Sequence, residues 1–205
     1  MQNKKNIAVF ASGSGTNFIN IYNNINNGRV VVLISNNVNS GAVKFAKEKS
    51  VNFAIINSTV YSDVDVLNKQ YEFILKSHKV ELILLAGFIK KVPLNIIQIF
   101  RNRIINIHPS LLPKFGGRGF YGIKVHEAVI KSKDKVTGAT IHFVNEEYDE
   151  GSIIMQKEIN VHYNDTPNSL SKRVLQIEYA LYLEVVNLFC DHKIKIVNNK
   201  VEING

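Results

Sequence analysis

A single cysteine, Cys190, stands among the 205 residues. An intrachain disulfide is therefore excluded, and a reducing, cytoplasmic setting is the expectation. Cys190 follows the apolar run Val185 to Phe189, which points to a packing role. No stretch approaches the ~20 consecutive apolar residues that a membrane-spanning helix needs. The apolar run Ile7–Ala11 is too short for a secretory core and has no cleavage signal behind it. Repeats, low-complexity tracts and linkers are also missing. One domain over 1–205 is expected, with an N-terminal half of about 1–100 and a C-terminal half of about 101–205. Acidic residues are in short supply, 17 against 25 Lys and Arg, leaving a net charge of +8 and a pI near 9.5. That excess favours anionic ligands without choosing among phosphates, carboxylates and nucleic acid. The basic residues are mostly scattered, as on an ordinary basic surface. With 45% hydrophobic and 20% charged residues the chain is able to bury a sizeable core, and wholesale disorder is excluded.

What is present is a regular alternation. Short, nearly continuous runs rich in Ile, Val and Leu recur at Ile7–Ala11, Val30–Ile34, Phe53–Ile56, Leu82–Ala86 and Ile104–Ile107. Strands buried on both faces of a parallel sheet read this way. Helical spacing fills the gaps at Asn17–Asn26, Gly41–Lys49, Val64–Lys79 and Pro93–Phe100. The expected class is α/β: a Rossmann-like sheet with a parallel βαβ half. From His108 to Gly122, two prolines and four glycines predict a long loop, and such loops are usually functional. A short helix, Val125–Lys131, follows. Strands Thr140–Val144 and Ile153–Ile159 flank an acidic turn, with Ile141, Phe143, Ile153 and Met155 forming the buried face of an antiparallel hairpin. Asp165-Thr166-Pro167 starts a last helix. Its apolar stripe is Leu170, Val174, Ile177, Leu181, Val185 and Leu188. A further hairpin is expected over Lys193 to Ile203.

Two segments carry chemistry. Ser12-Gly13-Ser14-Gly15-Thr16-Asn17 lies between the first strand and the first helix. Glycines let backbone approach a ligand, and N–H groups at a helix start attract an anion. Ser14, Thr16 and Asn17 add side-chain donors. The alternative is a plain tight turn. A dinucleotide fingerprint fails, because Phe18 replaces its third glycine and Ser35-Asn36-Asn37 offers no acidic residue after the second strand. A phosphate-loop lysine is also lacking. The loop therefore argues for a monophosphate rather than NAD or ATP. The second segment is Asn106-Ile107-His108-Pro109, closing the fifth strand. Alternation puts Asn106 and His108 on one side. An amide stabilises an oxyanion and an imidazole moves a proton near neutral pH, although Asn-x-His alone is more often structural.

The full string from Asn106 through Pro113 to Phe115, preceded by Leu85-Ala86-Gly87-Phe88, resembles the glycinamide ribonucleotide formyltransferase family. The Gly-Ser-Gly-Thr-Asn loop, Val125-His126-Glu127-Ala128, Gly138 to Val144, and Asp149 with Gly151 match in the same order. The resemblance runs from about residue 7 to about residue 190. It implies a formyltransferase fold, with the parallel half followed by the antiparallel hairpin portion. It also implies transfer of a formyl group from 10-formyltetrahydrofolate to the amine of phosphoribosylglycinamide, a step of purine synthesis. Asn106, His108 and Asp149 would be catalytic, with Asp149 keeping His108 charged. Gly13, Ser14, Gly15, Thr16, Asn17 and Glu178 would bind the phosphorylated substrate. Phe88, Ile89, Lys90, Lys91 and Val92, with Asn145, Glu146, Glu147 and Tyr148, would bind the folate. His142 reads as structural or supporting, and His78, His162 and His192 as surface residues.

The expected partners are these small molecules, with no metal, nucleic acid or membrane, in a monomer or homodimer. The chain departs from the family where Val64 to Lys69 lacks a folate-binding arginine and where Lys124 replaces a frequent histidine. The long Gly116–Gly122 loop is expected to shape the substrate cleft. A deformylase relative usually carries a preceding regulatory domain, and a methionyl-tRNA relative carries a following RNA-binding domain. A first strand near residue 6 and an end at 205 fit neither. A non-catalytic phosphate-binding module is the reading from another class.

Overall fold

A computed structural model describes residues 4–198 and 200–204. The chain divides into two compact units, Met1–Ile105 and Asn106–Gly205.

In the first unit, strands and helices alternate as β1 (Lys5–Phe10), α1 (Thr16–Asn24), β2 (Gly28–Ser35), α2 (Gly41–Glu48), β3 (Phe53–Ile55), α3 (Val64–Ser77), β4 (Leu82–Leu85) and α4 (Leu94–Ile99). β1 pairs in parallel with β2 and β4, and β2 with β3, giving the order β3-β2-β1-β4. The continuous apolar runs explain this. Ile7 to Phe10 and Leu82 to Leu84 are wholly buried, as only two covered faces allow. Helix starts follow local chemistry. Ser40 Oγ accepts from Val43 N at 3.2 Å, and Asp63 Oδ1 accepts from Asp65 N at 2.8 Å. The rings of Phe18, Tyr22 and Phe45 pack edge to face, which ties α1 to α2.

β5 (Ile104–His108) carries the chain into the second unit. That unit continues with α5 (Ile123–Ser132), β6 (Val136–Phe143), β7 (Ile153–Asn160), α6 (Pro167–Cys190), β8 (Ile194–Val197) and β9 (Lys200–Ile203). β6 and β7 pair antiparallel, as do β8 and β9. Thr166 caps α6 in a reciprocal pair with Ser169, and Pro167 takes the first helical position. α6 packs on β6 and β7 with Leu170, Val174, Leu181, Val185 and Cys190 buried.

The hairpin differs from the expected pattern in two ways. β6 begins at Val136, four residues early, and is buried on both faces from Thr137 onward. On β7, Ile153 is 40% exposed while Ile154 is buried. The register slips between Ile141 and His142, and one added residue moves a strand's apolar set to the opposite face. Among the described residues no helix is long and apolar enough to cross a membrane.

Candidate functional site

In the first unit the glycine-serine segment forms a turn held by backbone. Gly15 sits at φ +78° as the N-cap of α1 and supplies no side-chain cap. A Cβ there would lie 2.7 Å from Ala42 Cα, so α2 packs where a side chain would be. Both the left-handed angle and the close approach require glycine. Ser12 anchors the turn from behind. Its N–H donates to Gly87 O at 3.2 Å, its Oγ donates to Asn36 Oδ1, and the same Oγ accepts from Ile89 N at 3.3 Å. Gly13 and Ser14 are exposed, Thr16 is half-buried and Asn17 is buried. The first N–H groups of a helix have no intrahelical acceptor, and the dipole there favours negative charge. No acidic residue in the first turn of α1 opposes that field. The same unit holds Phe88, stacked edge to face on Phe10 at 5.3 Å. Beside it Ile89, Lys90 and Lys91 are exposed and Val92 is buried.

In the second unit Asn106, His108 and Asp149 come together. Asn106 Nδ2 donates to Asp149 Oδ1 at 3.4 Å. His108 Nδ1 lies 3.5 Å from Asp149 Oδ2. Asp149 is held in the left-handed region at φ +59°, and its Oδ2 accepts from Gly117 N at 2.9 Å. Aspartate tolerates that conformation better than most residues.

The protonation pattern follows from the partners. His108 Nε2 is 2.8 Å from the carbonyl oxygen of Phe115. A carbonyl only accepts, so Nε2 carries a proton, and Nδ1 faces the Asp149 carboxylate. Burial holds the His108 pKa below the ordinary histidine value, outweighing Asp149 and the Phe115 carbonyl, which raise it. Asp149 acts on His108 in the expected direction, favouring the charged ring, and burial opposes it. For Asp149 itself, burial raises the pKa. The His142 and His108 rings and the Gly117 amide together outweigh it and leave the carboxyl ionised below its ordinary value.

His142 belongs to this cluster, although its sequence pattern marks it only as structural or supporting. Its Nδ1 donates to Phe143 O at 2.8 Å, so Nε2 accepts from Asn106 Nδ2 at 3.0 Å and lies 3.5 Å from Asp149 Oδ1. Alternation with Thr140 on β6 is its only local signal. His126 on α5 is also buried, and its Nδ1 has no hydrogen-bond partner among the described residues. Burial, with a smaller effect of His108, pushes its pKa down to about 4.

Elsewhere, Glu178 is half-buried on α6, Asn145 is half-buried, and Glu146, Glu147 and Tyr148 are exposed. His78, expected at the surface, is half-buried, with Nδ1 2.9 Å from Ile74 O at the end of α3. Lys124 donates to the Tyr121 hydroxyl at 3.0 Å. The Leu112–Pro113 peptide bond is cis. Among the described residues no group of three His, Cys, Asp or Glu is arranged to hold a metal ion.

Comparison with known proteins finds relatives along most of the chain. Residues 5–186 match the formyl transferase family. The chain is 43% identical over 197 residues to the chloroplastic phosphoribosylglycinamide formyltransferase of Arabidopsis thaliana, covering 94% of the chain and 68% of that protein. It is 31% identical over 205 residues to the phosphoribosylglycinamide formyltransferase of Haemophilus influenzae, covering 98% and 94%. The crystal structure of glycinamide ribonucleotide transformylase 1 from Symbiobacterium toebii superposes with a TM-score of 0.90 at 32% identity, covering 98% of this chain and 95% of that one. The chain belongs to the phosphoribosylglycinamide formyltransferase group of the formyl transferase family.

Proposed function

We propose that the chain transfers the formyl group of 10-formyltetrahydrofolate to the amine of phosphoribosylglycinamide, with Asn106, His108 and Asp149 as its catalytic groups. The observation that carries this reading is the contact of one amide, one imidazole and one carboxylate in the second unit. The amine attacks the formyl carbon, and the carbonyl oxygen takes up negative charge. Asn106 Nδ2 releases its long bond to Asp149 and donates to that oxygen. His108, charged with the help of the Asp149 carboxylate beside its Nδ1, stabilises the same oxygen, and a water held by Asp149 takes up the amine proton. The proton then passes to the folate nitrogen as its bond to carbon breaks. The products are the formamide and the protonated folate amine, and atoms and charge balance.

The glycine turn at the start of α1 is the phosphate seat of this reading, supported by its open helix end and the lack of acidic residues in the first turn. In the first unit exposed Ile89 offers an apolar face to the flat pterin, and Lys90 and Lys91 offer charge to carboxylates of the folate. Glu178 is read as a contact to the glycinamide portion. A cytoplasmic setting is supported by the single, buried Cys190.

The decisive assay supplies both substrates and follows formylated phosphoribosylglycinamide by mass. Product formation that requires the amine is expected. Release of formate without dependence on the amine would instead mark a hydrolase.

A further inference from the structure

Ser12 lies just past β1, and each of its polar atoms is bonded to another loop of the first unit. It is buried, with 7% of its surface exposed. Its N–H donates to Gly87 O at 3.2 Å, and its Oγ accepts from Ile89 N at 3.3 Å. Both bonds reach the segment that follows β4. The same Oγ donates to Asn36 Oδ1, and the Ser12 carbonyl accepts from Asn37 Nδ2 at 3.3 Å. Those two reach the loop that follows β2. Asn57 Nδ2, after β3, donates to Asn36 O at 3.0 Å and holds that loop in turn. The carboxyl ends of four neighbouring strands, in the order β3-β2-β1-β4, are stitched together here. The Ser12 hydroxyl is the knot.

Its neighbours give the knot a meaning. Gly13 follows Ser12 and opens the glycine turn, whose free N–H groups are the proposed phosphate seat. Ile89 opens the exposed stretch 89–91, proposed to meet the folate. One hydroxyl therefore links the backbones of the two substrate segments. A ligand that fixes the turn fixes Ser12 and, through Oγ, the N–H of Ile89. The shared backbone has to be ordered only once, so the second ligand meets a segment already held. Such a coupling acts equally in both directions.

We infer that Ser12 is a positioning residue that couples the two substrate segments of the first unit, so that the phosphorylated substrate tightens binding of the folate and the folate tightens binding of the phosphorylated substrate. This coupling rests on the proposed placement of both substrates and not on the role of any catalytic group.

Calorimetric titration tests it without turnover. Tetrahydrofolate, which has no formyl group to transfer, is titrated alone and with saturating phosphoribosylglycinamide, and the order is then exchanged. In the wild-type chain each Kd is expected to fall about fivefold or more when the other ligand is present, by the same factor in both orders. Ser12→Ala removes the hydroxyl at little change of size. Its factor is expected to drop close to one, with the Kd of each ligand alone nearly unchanged. Ser12→Thr keeps the hydroxyl and is expected to restore the factor. Asn36→Ala removes the acceptor that orients the hydroxyl and is expected to lower the factor less; it decides the matter if Ser12→Ala does not fold. A factor unchanged in Ser12→Ala, or absent from the wild type, overturns the inference. Weaker binding of each ligand alone with the factor kept marks a merely structural serine and overturns it as well. Gly15→Ala and Ile89→Asp probe the placement beneath it. If the first leaves the affinity for phosphoribosylglycinamide unchanged, or the second that for tetrahydrofolate, the placement falls and the coupling with it.

Discussion

The two units make their candidate sites from different material. In Met1–Ile105 the proposed phosphate seat is backbone: a left-handed glycine, an open helix end, and a serine that ties the turn from behind. In Asn106–Gly205 the site is made of side chains drawn from β5, β6 and the turn before β7, each fixed by a buried partner. A backbone site asks only that the chain turn correctly, so it survives most changes of side chain. A side-chain site depends on every group's protonation and orientation and fails with the loss of one atom.

Substitution at the second site tests that contrast most severely. Asp149→Asn keeps shape but removes the charge that stabilises an imidazolium, and kcat is expected to fall by ~10²–10⁴-fold with the circular dichroism spectrum unchanged. Full activity in Asp149→Asn would remove the carboxylate from the mechanism.

The buried histidines of the second unit add a pH dependence. Its basis is His126, whose folded pKa of about 4 lies below its ordinary 6.5. Between these values the unfolded chain binds a proton that the folded chain refuses. The stability is complete above pH 6.5, declines as the pH falls toward 4, and levels below it. The loss attributable to His126 is about 3 kcal/mol. Urea unfolding at pH 7 and pH 4 should show it, and His126→Leu should lose that part of the dependence.

At the first site, Gly15→Ala forces a Cβ against Ala42 and a left-handed angle on a residue that resists it. A stability loss of about 2 kcal/mol is expected, with a higher KM for the phosphorylated substrate and a smaller change in kcat. If kcat fell as far as in Asp149→Asn, the division between a backbone seat and a side-chain catalyst would be lost. Smallest is Thr166→Ala at the start of α6, remote in kind from both sites. Loss of its cap bond should cost about 1 kcal/mol in chemical denaturation and leave both KM values unchanged.

Much of this was legible from residue order. The parallel half was readable because strands buried on both faces must be continuously apolar, as Ile7–Phe10 and Leu82–Leu85 are. The glycine turn was readable because φ near +78° leaves glycine as the residue of choice. The antiparallel hairpin was readable too, but the buried face of β7 was not, because the slip at Ile141 and His142 depends on how β6 meets β7 and leaves no mark in alternation. His142 was readable as structural or supporting, but its partner was not, because the 3.0 Å contact is with Asn106, thirty-six positions away. The role of Phe115 was invisible, since the group that acts is a carbonyl that every residue has.

The amino-acid order by itself determined the α/β class and the glycine turn, because periodicity and glycine are local properties, while the candidates for the catalytic trio came from the family resemblance. Only the tertiary structure decided that His108 is buried, that its two ring nitrogens face the Phe115 carbonyl and the Asp149 carboxylate, and that His142 joins them. Those outcomes follow from burial and from hydrogen bonds between distant residues, which exist only once the chain has folded.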